Sequence, residues 1–368
     1  MLKLKKYTQN LSKRRKMDYA TYLGVVLAFI IISFMKSAGM LSSSFKGQLI
    51  PICAYIVMAL SLNLTVGILG ELSLGHAGFM SVGAFSGIIA AMSLKEAIPA
   101  APVRLAIAMV VGALFAGIAG FLIGIPVLRL RGDYLAIVTL AFGEIIKELM
   151  NCLLVGFDHR GLHVIFNLSG TRTANDLRLA EGGTVIIKGA QGASGTQTIA
   201  TFTAGFVLIM ITLVIILNLV RSRTGRAIMA IRDNRIAAES CGINVTKYKL
   251  TAFIISAALA GAAGALYGLN YSNLVATKFN FNTSILVLVF VVLGGLGNMW
   301  GSIISAALLY VLPELLRQFQ DYRMLTYAIV LILVMLATNS PTIKSFLARF
   351  KPKMPAPKKK QKEAIKND

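Results

Sequence analysis

Ten apolar segments recur along this chain, and they constrain its fold more than any other feature. Of its 368 residues, 56% are hydrophobic and 14% are charged, whereas about a quarter of the residues in a soluble domain are charged. Long apolar runs of this kind are typical of helices that cross a bilayer. The sequence therefore predicts an all-α polytopic membrane protein. The predicted segments are residues 19–34, 48–69, 74–92, 103–127, 134–155, 199–220, 250–269, 284–296, 302–316 and 325–339.

The positive charge is concentrated at both ends of the chain and in a central loop, residues 221–249. The formal net charge is +22, and cytoplasmic segments of membrane proteins carry an excess of Lys and Arg. We therefore expect the basic segment 1–18, the central loop and the basic tail 341–368 to be cytoplasmic. The membrane domain is then 19–340, with an external polar loop at 156–198. This distribution does not indicate nucleic-acid binding.

The start of the chain has two interpretations. A basic stretch before a short apolar run is also typical of a secretory signal peptide. Because no clear A-x-A cleavage site follows, we favour an uncleaved first span. Ten crossings then place both termini in the cytoplasm.

The external loop contains two weaker patterns. The run TVIIK at Thr184–Lys188 predicts a short strand. His159 and His163 lie four residues apart beside Asp158, which is compatible with a metal site or with ordinary surface histidines. We expect no bound metal. The three cysteines lack CxxC spacing, so neither a disulfide framework nor a zinc knuckle is indicated.

The central loop has the capping residues of two short helices. Thr224 is placed to cap a helix over 227–231, and Asp233 or Asn234 to cap a second over 235–241. Gly242 follows at the position that favours glycine after a helix end. Ala237, Ala238 and Cys241 are predicted to form a small, smooth surface. The alternative is a basic loop that only fixes the topology.

The stretch SLGHAGFMSVGAFSG contains small residues and one histidine within an apolar segment. Gly75 and Gly78 leave room for close helix packing, and ionisable groups such as His76 are often functional within membranes. The stretch, with Ser73, is therefore either a packing seam or part of a translocation path. Close packing is likewise predicted for two small-residue faces of the segment 250–269. One face has Ala257, Gly261 and Ala265, and the other has Ala260, Gly264 and Gly268.

Glu144, Lys147 and Glu148 share one helix face, because they are spaced i, i+3 and i+4. Glu144 lies about 15 Å along its helix from the predicted inner turn, which is near mid-bilayer. It is predicted to neutralise a substrate ammonium group or to pair with a neighbouring lysine. A proton-relay role would suit an ion-coupled secondary transporter.

The run LGGLGNMWG separates two short apolar segments. Gly294, Gly295 and Gly297 are expected to break the helix, and Asn298 adds a polar side chain. A broken helix can bind small zwitterions through its free backbone groups, and the alternative is a tight turn. With Asn63 of the second segment, these residues complete the candidate path.

Four stretches together resemble the LivM-type permease subunits of branched-chain amino-acid ABC importers. The resemblance covers roughly residues 49–316 and implies the ABC-importer permease fold, with about ten helices. The four stretches are GRAIMAIRDNRIAAESCGINVTKYKLTAFIISAALAGAAGALYG, ILGELSLGHAGFMSVGAFSG, LRGDYLAIVTLAFGEIIKELM and VLGGLGNMWGSIISAALL.

The resemblance implies that the central loop is a coupling element that docks on an ATPase. When the ATPase-contact positions of such permeases are transferred to this sequence, they fall on Arg232, Ala237, Ala238, Glu239 and Gly242. In the general pattern of such permeases an acid precedes the alanines, whereas here Glu239 follows them.

The resemblance also implies partners: two ABC ATPase subunits, a second homologous permease and an extracytoplasmic binding protein in a bacterial cell membrane. The sequence has no G-x-x-x-x-G-K-[ST] motif, so ATP and magnesium would be used by the ATPases. The implied function is uptake of Leu, Ile and Val by alternating access. Alternatives are a permease for urea, short amides or another amino acid, or an ion-coupled carrier. No catalytic cluster indicates an enzyme.

Overall fold

The computed structural model describes residues 21–40, 42–130, 132–167, 174–180 and 183–316, with four further positions between 325 and 332. The predicted basic segment and tail lie outside the described residues, as does most of the predicted tenth span. The chain divides into a compact unit of residues 1–312 and a second of residues 313–368.

The described residues are mostly helical, with polar turns between long apolar helices. The helices are α1 (Thr21–Ser37), α2 (Ser43–Asn63), α3 (His76–Ser93), α4 (Ala101–Val127), α5 (Asp133–Asn151), α6 (Phe202–Arg221), α7 (Arg223–Asp233), α8 (Arg235–Ser240), α9 (Val245–Gly268), α10 (Phe281–Gly294) and α11 (Met299–Leu315). A π-helical turn, Leu64–Leu69, extends α2. Short 3₁₀ turns lie at Ala174–Leu177, Gly189–Gln191 and Ala276–Phe279.

Five of these described helices are long and apolar enough to cross a membrane: α2 with its π-helical turn, α3, α4, α6 and α9. α1, α10 and α11 are apolar but shorter. The 14 residues of α10 span about 21 Å, less than the roughly 30 Å of a hydrocarbon core. The GGLGN run thus separates two short helices, as predicted.

The prediction of an all-α chain is wrong in one respect, because the structure also contains a five-stranded antiparallel sheet. Its strands, in spatial order, are β2 (Gly161–Phe166), β1 (Leu153–Asp158), β3 (Thr184–Lys188), β4 (Ala193–Ser194) and β5 (Asn273–Leu274). The strand predicted over TVIIK is β3. The predicted fifth span ended at residue 155, but α5 ends at Asn151 and the next apolar residues pair in β1.

The sheet and the central loop lie at opposite ends of the helical bundle. α5 and α9 run into β1 and β5, and α6 begins after β4. At its other end α6 leads into α7 and α8, which are followed at once by α9. The 24 residues of α9 therefore place about 36 Å between the two regions. We call these the sheet end and the loop end of the bundle.

α9 packs against α3 and α4 through small residues, which confirms the predicted close packing of its faces. A Cβ atom added to Gly264 would lie 2.0 Å from the carbonyl oxygen of Met80 in α3. One added to Gly261 would lie 2.4 Å from the carbonyl oxygen of Gly112 in α4. The three backbones therefore approach as closely as residues without a Cβ allow.

The carboxylate of Asp158 holds the β1–β2 hairpin together. It is buried and accepts hydrogen bonds from the backbone N–H groups of Ala180, at 3.0 Å, and Arg160, at 2.7 Å. His163 Nε2 lies 3.3 Å away. The Ala180 bond first, then the Arg160 bond and the histidine, hold the pKa of Asp158 at about 2. Asp158 and His163 thus form a structural pair.

We expect Asp158→Asn to loosen this hairpin at neutral pH, because it removes a charge that the fold stabilises. Since the folded pKa is below the unfolded value near 4, the stabilisation is complete above pH 4 and is lost as the pH falls towards 2. Hydrogen exchange of β1 and β2 measures the effect. The exposed control Glu96→Gln should exchange like the wild type, and unchanged protection in Asp158→Asn would refute the role.

Candidate functional site

The central loop forms two short helices with defined caps. Ser222, and not the predicted Thr224, caps α7, because its hydroxyl accepts the Gly225 N–H at 3.1 Å. Asn234 caps α8 by accepting the Ala237 N–H at 3.0 Å. Gly242 has φ +78°, as expected for a glycine that ends a helix.

The end of α8 is closed by two backbone hydrogen bonds. Gly242 N–H donates to the Glu239 carbonyl at 2.9 Å, and Ile243 N–H donates to the Ala238 carbonyl at 3.1 Å. This pair is the Schellman arrangement, so the central loop has a fixed conformation at this point.

The outer surface of α8 differs from the predicted small-residue surface. Ala238 is buried against Ile231 and Val245, whereas Ala237 and Cys241 are exposed, as predicted. The Ile236 side chain is 76% exposed. The sequence predictions did not include Ile236, although it is the one large apolar side chain of α8. The surface therefore presents one large apolar group beside an alanine.

Glu239 makes an ion pair within α8. Its carboxylate accepts a hydrogen bond at 2.9 Å from Arg235, four residues earlier. The pair supports the helix, so the acid that departs from the family pattern has a local partner.

The loop end is joined to the bundle by two cationic side chains. Arg232 Nη1 donates to the Gly67 carbonyl at 3.1 Å. Lys249, at the start of α9, forms an ion pair with Glu71. Both acceptors belong to the segment that follows α2.

The first buried polar cluster contains Asn63 and the turn between α10 and α11. Asn63 Oδ1 accepts the Gly297 N–H at 2.8 Å, and its Nδ2 donates to Ser302 Oγ at 3.0 Å. Gly294 crosses Gly301 so closely that a Cβ at Gly294 would lie 2.4 Å from the Gly301 carbonyl carbon. The structure therefore brings Asn63 and Gly297 together, as parts of one packed crossing.

Gly295 and Asn298 lie at the outer side of this turn. Gly295 has φ +91°, and the Asn298 side chain is exposed. Asn298 holds the turn through its backbone carbonyl, which accepts from Ser302 Oγ at 3.1 Å. The amide of Asn298 is thus presented beside the packed crossing.

The second cluster surrounds His76 at the start of α3. Ser61 Oγ donates to the Met58 carbonyl at 2.9 Å. His76 Nε2 lies 2.8 Å from Ser61 Oγ. Ser256 of α9 donates to the Ser61 carbonyl at 2.6 Å and accepts from Thr65 at 2.8 Å. His76 therefore joins α3 to α2, and through Ser61 to α9.

The third cluster joins α3, α5 and α10. A Cβ at Gly75 would lie 2.0 Å from the Thr139 carbonyl oxygen, and one at Gly78 would lie 2.9 Å from Gly143 Cα. The Ser73 side chain is buried and has no hydrogen-bond partner among the described residues. The close packing predicted for Gly75 and Gly78 is therefore present.

Glu144 pairs with Lys147 and also accepts a hydrogen bond from the first residue of α10. Its Oε1 accepts the Phe281 N–H at 3.0 Å, while its Oε2 forms an ion pair with Lys147. The Lys147 Nζ atom also lies 3.2 Å from Glu148 Oε1. Glu144 lines a narrow crevice together with Gly78 and Ser284. The predicted structural pairing is therefore present.

A separate apolar cavity is lined by none of the predicted site residues. It has a volume of about 300 Å³ and lies between α1, α2, α6 and α11. Its lining side chains are apolar apart from Cys53. Among the described residues, no group of three potential metal ligands occurs and the cysteines are free.

Long apolar helices that enclose paired polar groups define a multi-pass membrane protein. The chain belongs to the family described as branched-chain amino acid transport system / permease component, whose family model matches residues 44–338. This confirms the family inferred from the sequence motifs. No solved structure matches the chain.

Curated relatives support the same assignment. The chain is 37% identical over 295 residues to the high-affinity branched-chain amino acid transport system permease protein LivM of Escherichia coli, and 36% identical to that of Salmonella typhimurium. Each match covers 77% of this chain and 66% of the relative, which is just under two thirds of the relative's length. The probable LivM of Methanocaldococcus jannaschii is 25% identical, over 73% of this chain and 79% of the relative.

Proposed function

We propose that this chain is a permease subunit of an ATP-driven ABC importer that carries leucine, isoleucine and valine across the cell membrane by alternating access. Membership of the family supports the proposal, as do the names of the bacterial relatives. The proposed fold is that of ABC-importer permeases with about ten crossings. Both termini are then cytoplasmic, and the chain itself is not an enzyme.

The proposed assembly contains two ATPase subunits, a second homologous permease and an external binding protein. The ATPases bind ATP and magnesium, because this chain has no P-loop sequence. Substrate enters from the sheet end, and the central loop meets the ATPases at the loop end. The path runs along the α10–α11 turn and the start of α3.

The observation that carries this proposal is the exposed surface of α8. A lone, 76% exposed isoleucine on a short helix with two defined ends is suited to insert into an apolar groove of a partner. On the opposite face of α8, Ala238 packs against Ile231 of α7, which fixes the position of the helix. A rigid helix loses little conformational freedom on docking, which favours affinity.

We expect Ile236→Asp to weaken ATPase association at least about 30-fold, since a central apolar anchor contributes roughly 2 kcal/mol or more. Co-purification of the ATPases with the permease measures the association, and uptake into proteoliposomes measures transport. Ile236→Leu should behave like the wild type.

The matched control is Leu162→Asp, which places the same charge on the exposed strand β2 at the sheet end. It should leave ATPase co-purification unchanged. Full ATPase association in Ile236→Asp would refute the docking surface. In the wild-type assembly, uptake of leucine but not of urea tests the substrate class, and uptake without ATP would favour an ion-coupled carrier.

A further inference from the structure

The segment that ends α2, Leu64–Glu71, contacts three parts of the protein at once. It lies between the central loop, the start of α9 and the α10–α11 turn. We call it the π-turn segment, because it contains the π-helical turn and the two residues after it.

Two contacts connect the π-turn segment to the loop end. Arg232 of α7 donates to the Gly67 carbonyl at 3.1 Å, and its Cγ would lie 2.6 Å from a Cβ at Gly70, which has φ +80°. Lys249 pairs with Glu71, and the two side chains are only 5% and 15% exposed. A movement of α7 or of the start of α9 is therefore applied directly to this segment.

The other side of the π-turn segment touches the α10–α11 turn. A Cβ at Gly67 would lie 2.3 Å from the Gly297 nitrogen and 2.0 Å from Asn63 Oδ1. The same Asn63 oxygen accepts the Gly297 N–H. The Gly67 carbonyl thus accepts a hydrogen bond from Arg232, while the Gly67 Cα packs against the backbone of Gly297.

The backbone of the segment is suited to rearrangement. The Thr65 carbonyl accepts from both Gly70 and Glu71, the latter at 3.1 Å. π-helical turns are rare and frequently occur at functional sites. A change of hydrogen-bond register in this turn, from i→i+5 to i→i+4, would shift one end of the segment relative to the other.

We propose that the π-turn segment transmits the motion of the central loop to the α10–α11 turn, with Lys249 and Glu71 as the positioning residues. The inference rests on the proposed function, since it takes the loop end as the ATPase contact. It adds that the motion of the central loop reaches the path through the segment that follows α2.

The test removes both charges together, as Glu71→Leu with Lys249→Met, so that no lone charge remains buried. The complete assembly of permease, ATPases and binding protein is reconstituted in proteoliposomes. We expect the double variant to retain ATPase association and ATP hydrolysis, while the number of leucine molecules imported per ATP falls at least about tenfold. The control is Lys95→Met with Glu96→Leu, which removes the same charges from exposed positions and should leave this ratio unchanged.

A charge exchange, Glu71→Lys with Lys249→Glu, gives an independent measurement. It should recover most of the lost import per ATP, because the ion pair is re-formed with opposite polarity. An unchanged ratio in the neutral double variant, or loss of ATPase association there, would overturn the inference. If the wild-type assembly imports no leucine with ATP, the proposed function itself fails.

Discussion

Gly83→Val is expected to abolish correct assembly of the helical bundle. A Cβ at Gly83 would lie 2.1 Å from the carbonyl oxygen of Gly261 and 2.3 Å from its Cα. Both obstacles are backbone atoms of a buried helix, so neither can turn aside as a side chain would. The cost should reach or exceed the roughly 1–3 kcal/mol of ordinary overpacking. The yield of monodisperse protein in detergent and its thermal unfolding measure the effect.

The matched control is Gly117→Ala in α4. Its Cβ would meet Ala258 Cβ at 3.5 Å and Ile254 at 3.9 Å, which are ordinary contacts. We expect wild-type yield and unfolding temperature for this variant. A Gly83→Val protein that is as stable as Gly117→Ala would show that α3, α4 and α9 do not pack as described.

Asn63→Leu is expected to destabilise the α10–α11 turn and to stop transport. The change leaves the Gly297 N–H without its acceptor and Ser302 Oγ without its donor. Each lost hydrogen bond costs about 0.5–1.5 kcal/mol, although Ser302 Oγ keeps its bond to the Asn298 carbonyl. Leucine uptake and thermal unfolding should both fall.

Thr212→Val is the control for this substitution. The Thr212 hydroxyl in α6 is buried and has no hydrogen-bond partner among the described residues. Removing it should leave stability unchanged or slightly higher, because no hydrogen bond is lost. If Asn63→Leu unfolds and transports like Thr212→Val, the cluster at Gly297 contributes nothing to the fold or the path.

Hydropathy alone located most of the long helices, because an uninterrupted apolar run is both their sequence signal and their physical cause. Local chemistry predicted the end of α8, since a glycine with positive φ is recognisable in sequence. The same kind of local reasoning gave the wrong capping residue for α7. Ser222 and Thr224 are both suitable capping residues, and only the position of α6 selects the first.

The sheet and the buried clusters depend on contacts between distant residues. The run Leu153–Val155 is as apolar as the helix before it, so composition alone does not separate the two. It forms a strand because it pairs with Thr184–Lys188. The contact of Asn63 with Gly297 and that of Arg232 with Gly67 carry no local signal. Ala238 is buried by Ile231 and Val245, which the spacing within α8 did not reveal.

The sheet has a mechanical consequence for the helices that enter it. Because β1, β4 and β5 pair into one sheet, the ends of α5, α6 and α9 nearest to it are tied to one another. Each helix is then expected to pivot about the end that lies at the sheet. A tilt of about 5° moves the far end of a 36 Å helix such as α9 by about 3 Å, while the end at the sheet stays in place. The largest displacement of α9 is therefore expected at its first residue, Val245, one turn from Lys249.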